Sequence, residues 1–157
     1  MIANTFTEDE RVQENKQIHS KIGKTWFFDL DGTLLKSTSN EKLDQIIIKH
    51  GKTSHRQEEA LMSSKQFLKN IPKSDKVVLT TARAKRHKDH TIKVLEYVGI
   101  KYDQIIFDIP SGARILVNDI KPKGAVKNEH EIKTAFAINV KRNEGLKKEH
   151  LNEYLRV

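Results

Sequence analysis

One short segment constrains the fold of this chain more than any other. Residues 26–33 read WFFDLDGT, an apolar run that ends abruptly in two carboxylates, a glycine and a hydroxyl. The aromatic run predicts a buried β-strand. At its end, Asp29 and Asp31 repel each other and lose hydration, so they persist together most naturally around a cation such as Mg²⁺. The alternative is an ordinary Asp-Gly turn.

Two further apolar segments also end in polar side chains. Residues 76–83 read KVVLTTAR, which predicts a strand that presents Thr81, or less favourably Thr80, at its carboxyl end. A threonine there can donate a hydrogen bond to a phosphoryl group, or it can cap a helix. Residues 114–119 read RILVND, another strand that ends in a carboxylate, or alternatively the start of a turn.

These three segments resemble the first, second and fourth motifs of the haloacid dehalogenase-like (HAD) hydrolases, over about residues 24–140. The resemblance implies that Asp29 is a nucleophile that forms an aspartyl-phosphate, and that Asp31 is the acid and base. Magnesium would be held by Asp29, the backbone carbonyl of Asp31, and Asp119. Asn118 stands where many relatives have a second acid, and we expect it to contact the ligands rather than the ion.

The third motif of the family, usually a lysine that neutralises phosphate, has no counterpart here. No lysine lies between Asp103 and Asp119. The candidate substitutes are Arg83 and Lys85, just after Thr81, and Lys121 and Lys123, just after the third segment, of which Arg83 and Lys121 are the expected phosphate ligands. Most such cations are solvated surface. The resemblance also implies that Thr81 and the backbone N–H groups near Leu30 and Gly32 bind the phosphate oxygens.

Alternating strand and helix patterns predict a Rossmann-like three-layer sandwich with a central parallel sheet of about five strands. Beyond the strand that ends at the Asp29 pair and the strand that presents Thr81, we expect strands at 105–107, 115–117 and 136–140. We expect one domain over 1–157, with a polar arm or helix at 1–22, a core at 24–140 and a terminal helix at 145–157. The carboxyl ends of parallel strands share one sheet edge, so the motifs would meet there.

The helices predicted between the strands are short. One begins with Asn40 as its N-cap, a second with Ser54 and Gln57 as a capping box, and a third ends at Gly99. Such segments leave no material for a substantial cap domain, so we expect an open site. An open site suits a large substrate, such as a sugar-nucleotide precursor or another phosphorylated saccharide, or closure by a second copy in a homo-oligomer.

Charge gives the main alternative. The chain of 157 residues carries a net charge of +8, and residues 36–88 hold thirteen Lys or Arg against five Asp or Glu. This field attracts phosphorylated substrates, and it equally suits nucleic acid. Phe67 is the only aromatic residue of that stretch, so a nucleic-acid ligand is the less favoured interpretation. A noncatalytic HAD-fold binding protein is a further alternative, because the third-motif lysine is missing.

Composition excludes several classes. Zero cysteines exclude disulfides, thiolate nucleophiles and cysteine-ligated zinc. No apolar stretch reaches the length of a membrane span and no signal peptide is recognisable, so we expect a cytoplasmic protein without a membrane partner. None of the seven histidines is assigned a role, and we interpret His87 and His90 as the solvated start of a basic helix.

Overall fold

The computed structural model describes residues 7–150, an α/β arrangement of four helices and three strands. The helices are α1 (Glu8–Lys21), α2 (Asn40–His50), α3 (Met62–Lys69) and α4 (Lys88–Val98), and 3-10 turns span Gly51–Gln57 and Lys85–His87. The strands are β1 (Thr25–Asp29), β2 (Lys76–Thr80) and β3 (Gln104–Ile106). None of the helices in this described part has both the length and the apolar character that a bilayer crossing requires.

The chain divides into two compact units. Within the described residues, one unit comprises 7–24, 113–139 and 148–150, and the other comprises 25–112 and 140–147. The second unit contains all three strands and α2 to α4. We call it the sheet unit, and the first the α1 unit.

The sheet unit is built on a parallel sheet in the order β1, β2, β3. The register places Asp29 beside Thr80, and Thr80 beside Ile106, so the three strands end at the same level. Polar residues that follow β1 and β2 therefore emerge next to each other. The central parallel sheet expected from the sequence is present with three strands in the described residues.

Aromatic packing explains why β1 forms where it does. Phe28 is buried, and its ring stacks on Trp26 with centroids 5.9 Å apart, since both lie on the same face of the strand. Phe67 of α3 meets both rings edge-on. Phe27 lies on the opposite face and is 54% exposed, so β1 is covered on one face rather than two.

Two expected strands are not formed. Residues 115–117 lie outside the sheet, in the α1 unit, with Ile115 and Val117 more than four-fifths exposed. Residues 136–140 are likewise without strand structure. Both segments have strand-like composition, but a strand requires a hydrogen-bonded neighbour, and composition does not supply one. The five-stranded sandwich is therefore not reproduced in the described residues.

The helix starts also differ from expectation. The N-cap of α2 is Ser39, whose hydroxyl accepts from the Lys42 N–H, rather than Asn40. The expected Ser54 and Gln57 capping box is wrong: both residues lie in the 3-10 turn, and α3 begins only at Met62. By contrast, α4 ends as expected at Gly99, whose φ of 75° is the left-handed conformation that glycine adopts readily. The expected terminal helix lies largely outside the described residues.

The α1 unit has little regular structure besides its helix. Thr7 and Glu10 form a reciprocal capping box that starts α1. Glu14 accepts hydrogen bonds from His130 and from the backbone N–H of Glu129, which ties α1 to the segment around residue 130.

Candidate functional site

The turn after β1 is tightly fixed by backbone hydrogen bonds. The Leu30 carbonyl accepts from the N–H groups of Thr33, Leu34 and Leu35 at 2.9–3.2 Å, and the Gly32 N–H donates to the Leu35 carbonyl at 2.7 Å. The last of these bonds uses the very N–H group that was expected to bind phosphate, so Gly32 does not offer it in this arrangement. Asp29 and Asp31 are half-buried on either side of the wholly buried Leu30.

Arg83 holds Asp31 with a bidentate ion pair. Its Nε donates to Oδ2 and its Nη2 to Oδ1 of Asp31, both at 2.9 Å. This fork geometry is the strongest form of a guanidinium–carboxylate contact. The Arg83 side chain is 1% exposed, whereas the Asp31 side chain is 19% exposed. Asp31 therefore has one side toward solvent and one side toward a buried cation.

The other Arg83 donors are also used. Nη1 donates to Glu58 Oε2 at 3.0 Å and to Thr91 Oγ1 at 3.1 Å, and Nη2 donates to Glu58 Oε1 at 2.5 Å. With the two bonds to Asp31, all five N–H donors of the guanidinium have partners. Arg83 was expected to bind phosphate, but in this arrangement it has no donor left for that role.

Glu58 continues the cluster into α4. His90 Nε2 lies 2.6 Å from Glu58 Oε2, and His90 Nδ1 lies 2.9 Å from Ser54 Oγ. A carboxylate only accepts hydrogen bonds, so Nε2 is the donor. The chain of contacts Asp31, Arg83, Glu58, His90 and Ser54 joins the turn after β1 to α4, and we call these five residues the Arg83 network.

Hydrogen bonds within the network stabilise the charged forms of its buried side chains. Burial alone would raise the pKa of Glu58, but hydrogen bonds from His90 and Arg83 outweigh it and the pKa is lowered. Burial alone would lower the pKa of Arg83, but the hydrogen bonds to Asp31 and Glu58 raise it. Both side chains are therefore held in their charged forms.

Thr81 lies one residue beyond β2 and is wholly buried. Its hydroxyl oxygen accepts the Arg83 N–H at 3.1 Å, and its backbone bonds to Ile106 and Ile109 connect it to the chain around β3. It does not cap α4, which begins at Lys88. The strand-end position expected for Thr81 is present, and the hydroxyl fixes the loop that carries Arg83.

The basic segment at the start of α4 is less exposed to solvent than its sequence predicted. His87 and His90 were interpreted as solvated, yet they are 1% and 8% exposed. His87 Nε2 lies 2.6 Å from Asp44 Oδ1, and Arg86 makes a bidentate contact with the same carboxylate. The local sequence contains no sign of their acidic partners, which lie more than thirty residues away along the chain.

Cationic side chains other than Arg83 also lie close to the strand ends. A Cβ built on Gly32 would lie 3.0 Å from Cγ of Arg142, so the Arg142 side chain passes directly over the turn after β1. An open cleft of about 310 Å³ lies at the end of β3, lined by Lys85, Lys88 and Asp108 and by apolar Ile105, Ile106 and Phe107.

The third of the motif segments, residues 114–119, lies in the α1 unit. Asp119 is 64% exposed at its side chain and pairs with Lys121, with 3.3 Å between Nζ and Oδ2. The Asn118 amide donates to the Thr134 carbonyl at 3.3 Å. The structure thus gathers Asp29, Asp31, Gly32, Thr81 and Arg83 in the sheet unit, and it places Asp119, Asn118 and Lys121 in the α1 unit.

The fit to magnesium is partial. Across residues 7–150, no three acidic or histidine side chains are grouped so that they could hold a metal ion. Within the sheet unit, the hard oxygens of Asp29 and Asp31 are of the type that magnesium prefers, but both Asp31 oxygens already accept from Arg83. A cation that uses the Asp31 carboxylate would therefore have to share it with the Arg83 guanidinium.

A scan against protein-family models, a search of curated proteins and a search of solved structures each found no match. The resemblance to HAD hydrolases therefore rests on the residues of the three motif segments.

Proposed function

We propose that this chain is a phosphohydrolase of the HAD type, which hydrolyses a phosphate monoester through an aspartyl-phosphate on Asp29. The observation that carries the proposal is the position of the motif residues. Asp29 is the last residue of β1, and Asp31 and Thr81 lie just beyond the ends of β1 and β2. These adjacent parallel strands end at the same level, where ligands bind in open α/β sheets. Arg83 adds a buried cation to the same edge.

The reaction divides into two displacements. In the first, an Asp29 oxygen attacks phosphorus, the bond between phosphorus and the leaving oxygen breaks, and Asp31 supplies a proton to that oxygen when it needs one. In the second, a water oxygen attacks phosphorus, the bond to Asp29 breaks, and Asp31 takes the proton of the water. One difficult step is thereby replaced by two easier ones, and phosphate is released.

Magnesium belongs to the proposal. Asp29, the backbone carbonyl of Asp31, and Asp119 are the oxygen donors that would hold it, with Asn118 beside them. When bound, the ion offsets the negative charge that the nucleophile and the phosphoryl group bring together. For the phosphate itself we propose Lys121 and Arg142 as cations, because Arg83 is fully engaged within its network. We also propose that residues 115–117 and 136–140 complete a five-stranded parallel sheet in the functional form.

The substrate we propose is a sugar phosphate or a sugar-nucleotide precursor. Between β1 and β2 the chain supplies only α2, α3 and a 3-10 turn, and β3 is followed by an irregular loop. Neither stretch has the size of a cap domain, which supports an open site. Closure over the substrate would then come from a second copy of the chain.

One observation favours a second candidate, a phosphatase or binder directed at nucleic-acid ends. The cleft at the end of β3 combines Lys85 and Lys88 with the half-buried ring of Phe107. Cations together with an aromatic face are the elements that hold a phosphate and a base.

The test is phosphate release from sugar phosphates, nucleotides and 5′- or 3′-phosphorylated oligonucleotides, with and without magnesium. We expect magnesium-dependent release that disappears in Asp29→Asn, because the amide is not an anionic nucleophile. Asp89→Asn, an exposed aspartate at the start of α4, is the matched control and should keep full activity. Release that survives in Asp29→Asn would refute the proposal, and a preference for oligonucleotides would select the second candidate.

A further inference from the structure

The Arg83 network is costly to build. It places one guanidinium and two carboxylates in contact, and the side chains of Arg83 and Glu58 are 1% and 2% exposed. Burying charges costs several kcal/mol for each ion, and the gain from pairing often does no more than offset that cost. Stability is therefore a weak explanation for the network, which favours a role in positioning Asp31.

The geometry shows what the network does to Asp31. Arg83 occupies one lone pair on each carboxylate oxygen of Asp31, and each oxygen retains a second lone pair. Arg83 lies on the buried side, so the remaining lone pairs are available on the side that is exposed. Glu58 and Thr91 in turn fix the guanidinium, so it has no freedom to rotate away from Asp31.

We infer that Arg83, anchored by Glu58, is a positioning residue that holds the Asp31 carboxylate as the proton acceptor for the water that cleaves the phosphoenzyme. This inference rests on the proposed function. A bidentate guanidinium complements an ionised carboxylate, and an ionised carboxylate is ready to accept a proton. In this step the water oxygen bonds to phosphorus, the bond from phosphorus to Asp29 breaks, and the proton goes to Asp31.

The two half-reactions therefore depend on Arg83 to different degrees. With p-nitrophenyl phosphate, the leaving group departs without a proton, so formation of the phosphoenzyme needs no acid. Hydrolysis of the phosphoenzyme still needs the base. Loosening Arg83 should slow the second half-reaction and spare the first, whereas a general loss of structure would slow both.

The experiment is stopped-flow kinetics with p-nitrophenyl phosphate on the full chain with magnesium, comparing the wild type with Arg83→Lys and Glu58→Gln. A lysine keeps the charge but lacks the fork. Glu58→Gln keeps Arg83 but replaces its carboxylate anchor with a neutral amide that offers one acceptor oxygen instead of two. For Arg83→Lys we expect a burst of nitrophenol close to one equivalent, then a steady rate lower by roughly 10- to 100-fold, within the range of a general base. Glu58→Gln should show the same pattern to a smaller extent.

Arg86→Lys is the matched control, because Arg86 makes a similar bidentate contact with Asp44 outside the network. It should show wild-type kinetics. Burst and steady rate falling together in both network variants, with circular dichroism spectra unchanged, would overturn the inference and leave the phosphatase proposal intact. An absence of turnover in the wild type on every substrate of the panel would overturn both.

Discussion

Gly32 is the residue of the turn after β1 that tolerates a side chain least. Its φ is +85°, a region that residues with a Cβ rarely adopt, and an added Cβ would lie 3.0 Å from Cγ of Arg142. The Gly32 carbonyl also accepts the Asn143 N–H at 2.9 Å. The requirement for glycine here is therefore a property of the backbone, whether or not phosphate binds.

We predict that Gly32→Ala lowers the free energy of unfolding by about 1 to 2 kcal/mol, the usual cost of a left-handed conformation for a residue with a Cβ. Urea denaturation measures it. Gly112→Ala is the control, since Gly112 has no positive φ and its added Cβ would meet no atom within 4 Å. Equal stability of Gly32→Ala and the wild type would mean that the turn adopts another conformation in solution.

Single residues also show the limit of sequence analysis at the site. Asp29, Asp31 and Thr81 were predicted because each lies at or just beyond the end of a recognisable strand, and a local pattern is enough for that. Glu58 and His90 were missed because their roles come from contacts with Arg83 and with each other, 25 and 32 residues apart along the chain. A polar residue in a polar segment carries no local sign of burial.

Helix α2 is linked to the 3-10 turn before α4 through Asp44. Hydrogen bonds from Arg86 and His87 lower the pKa of Asp44 to about 2, below its ordinary value of 3.8. A lowered pKa means that the carboxylate stabilises the folded state fully above pH 3.8, and that this contribution disappears as the pH falls through about 2.

We predict that Asp44 titrates near pH 2 in an NMR titration of its carboxyl carbon. Arg86→Met should raise the pKa of Asp44, because the hydrogen bonds from Arg86 lower it more than the one from His87 does. An Asp44 that titrates at 3.8 in the wild type would contradict the contact between α2 and the turn.

The apolar segment 115–117 is the place to test the proposed five-stranded sheet. Its composition predicts a strand, whereas the structure leaves it outside the sheet, and β1 is an edge strand of the described sheet. If a complete sheet is the functional form, the amides of 115–117 should exchange more slowly when magnesium and beryllium fluoride, a phosphate analogue, are present. The Leu79 amide, in the central strand, is the internal reference. Unchanged exchange at 115–117 would contradict the assignment of this segment to the complete sheet.

At the scale of the whole molecule, sequence patterning predicted the α/β class and the parallel sheet, because strand and helix periods alternate clearly up to β3. It did not predict which apolar segments would be paired. Pairing depends on contacts between distant segments, and residues 115–117 and 136–140 have strand-like composition without strand structure.

Asp119, which directly follows the apolar segment 115–117 and Asn118, is a proposed magnesium ligand. We predict that Asp119→Ala raises the magnesium concentration for half-maximal activity by at least about tenfold, because an anionic oxygen ligand is lost. Glu131→Ala, an exposed acid in the same unit, should leave the requirement unchanged. An unchanged requirement in Asp119→Ala would assign the metal to other ligands.

The central claim is that Asp29 becomes covalently phosphorylated. The most direct measurement is acid quenching during turnover of p-nitrophenyl phosphate, followed by mass spectrometry of the intact chain and of peptides trapped by borohydride reduction. We expect one added phosphoryl group per chain, located at Asp29 and absent from Asp29→Asn. Turnover without any phosphorylated chain, or with the phosphoryl group on another residue, would contradict it.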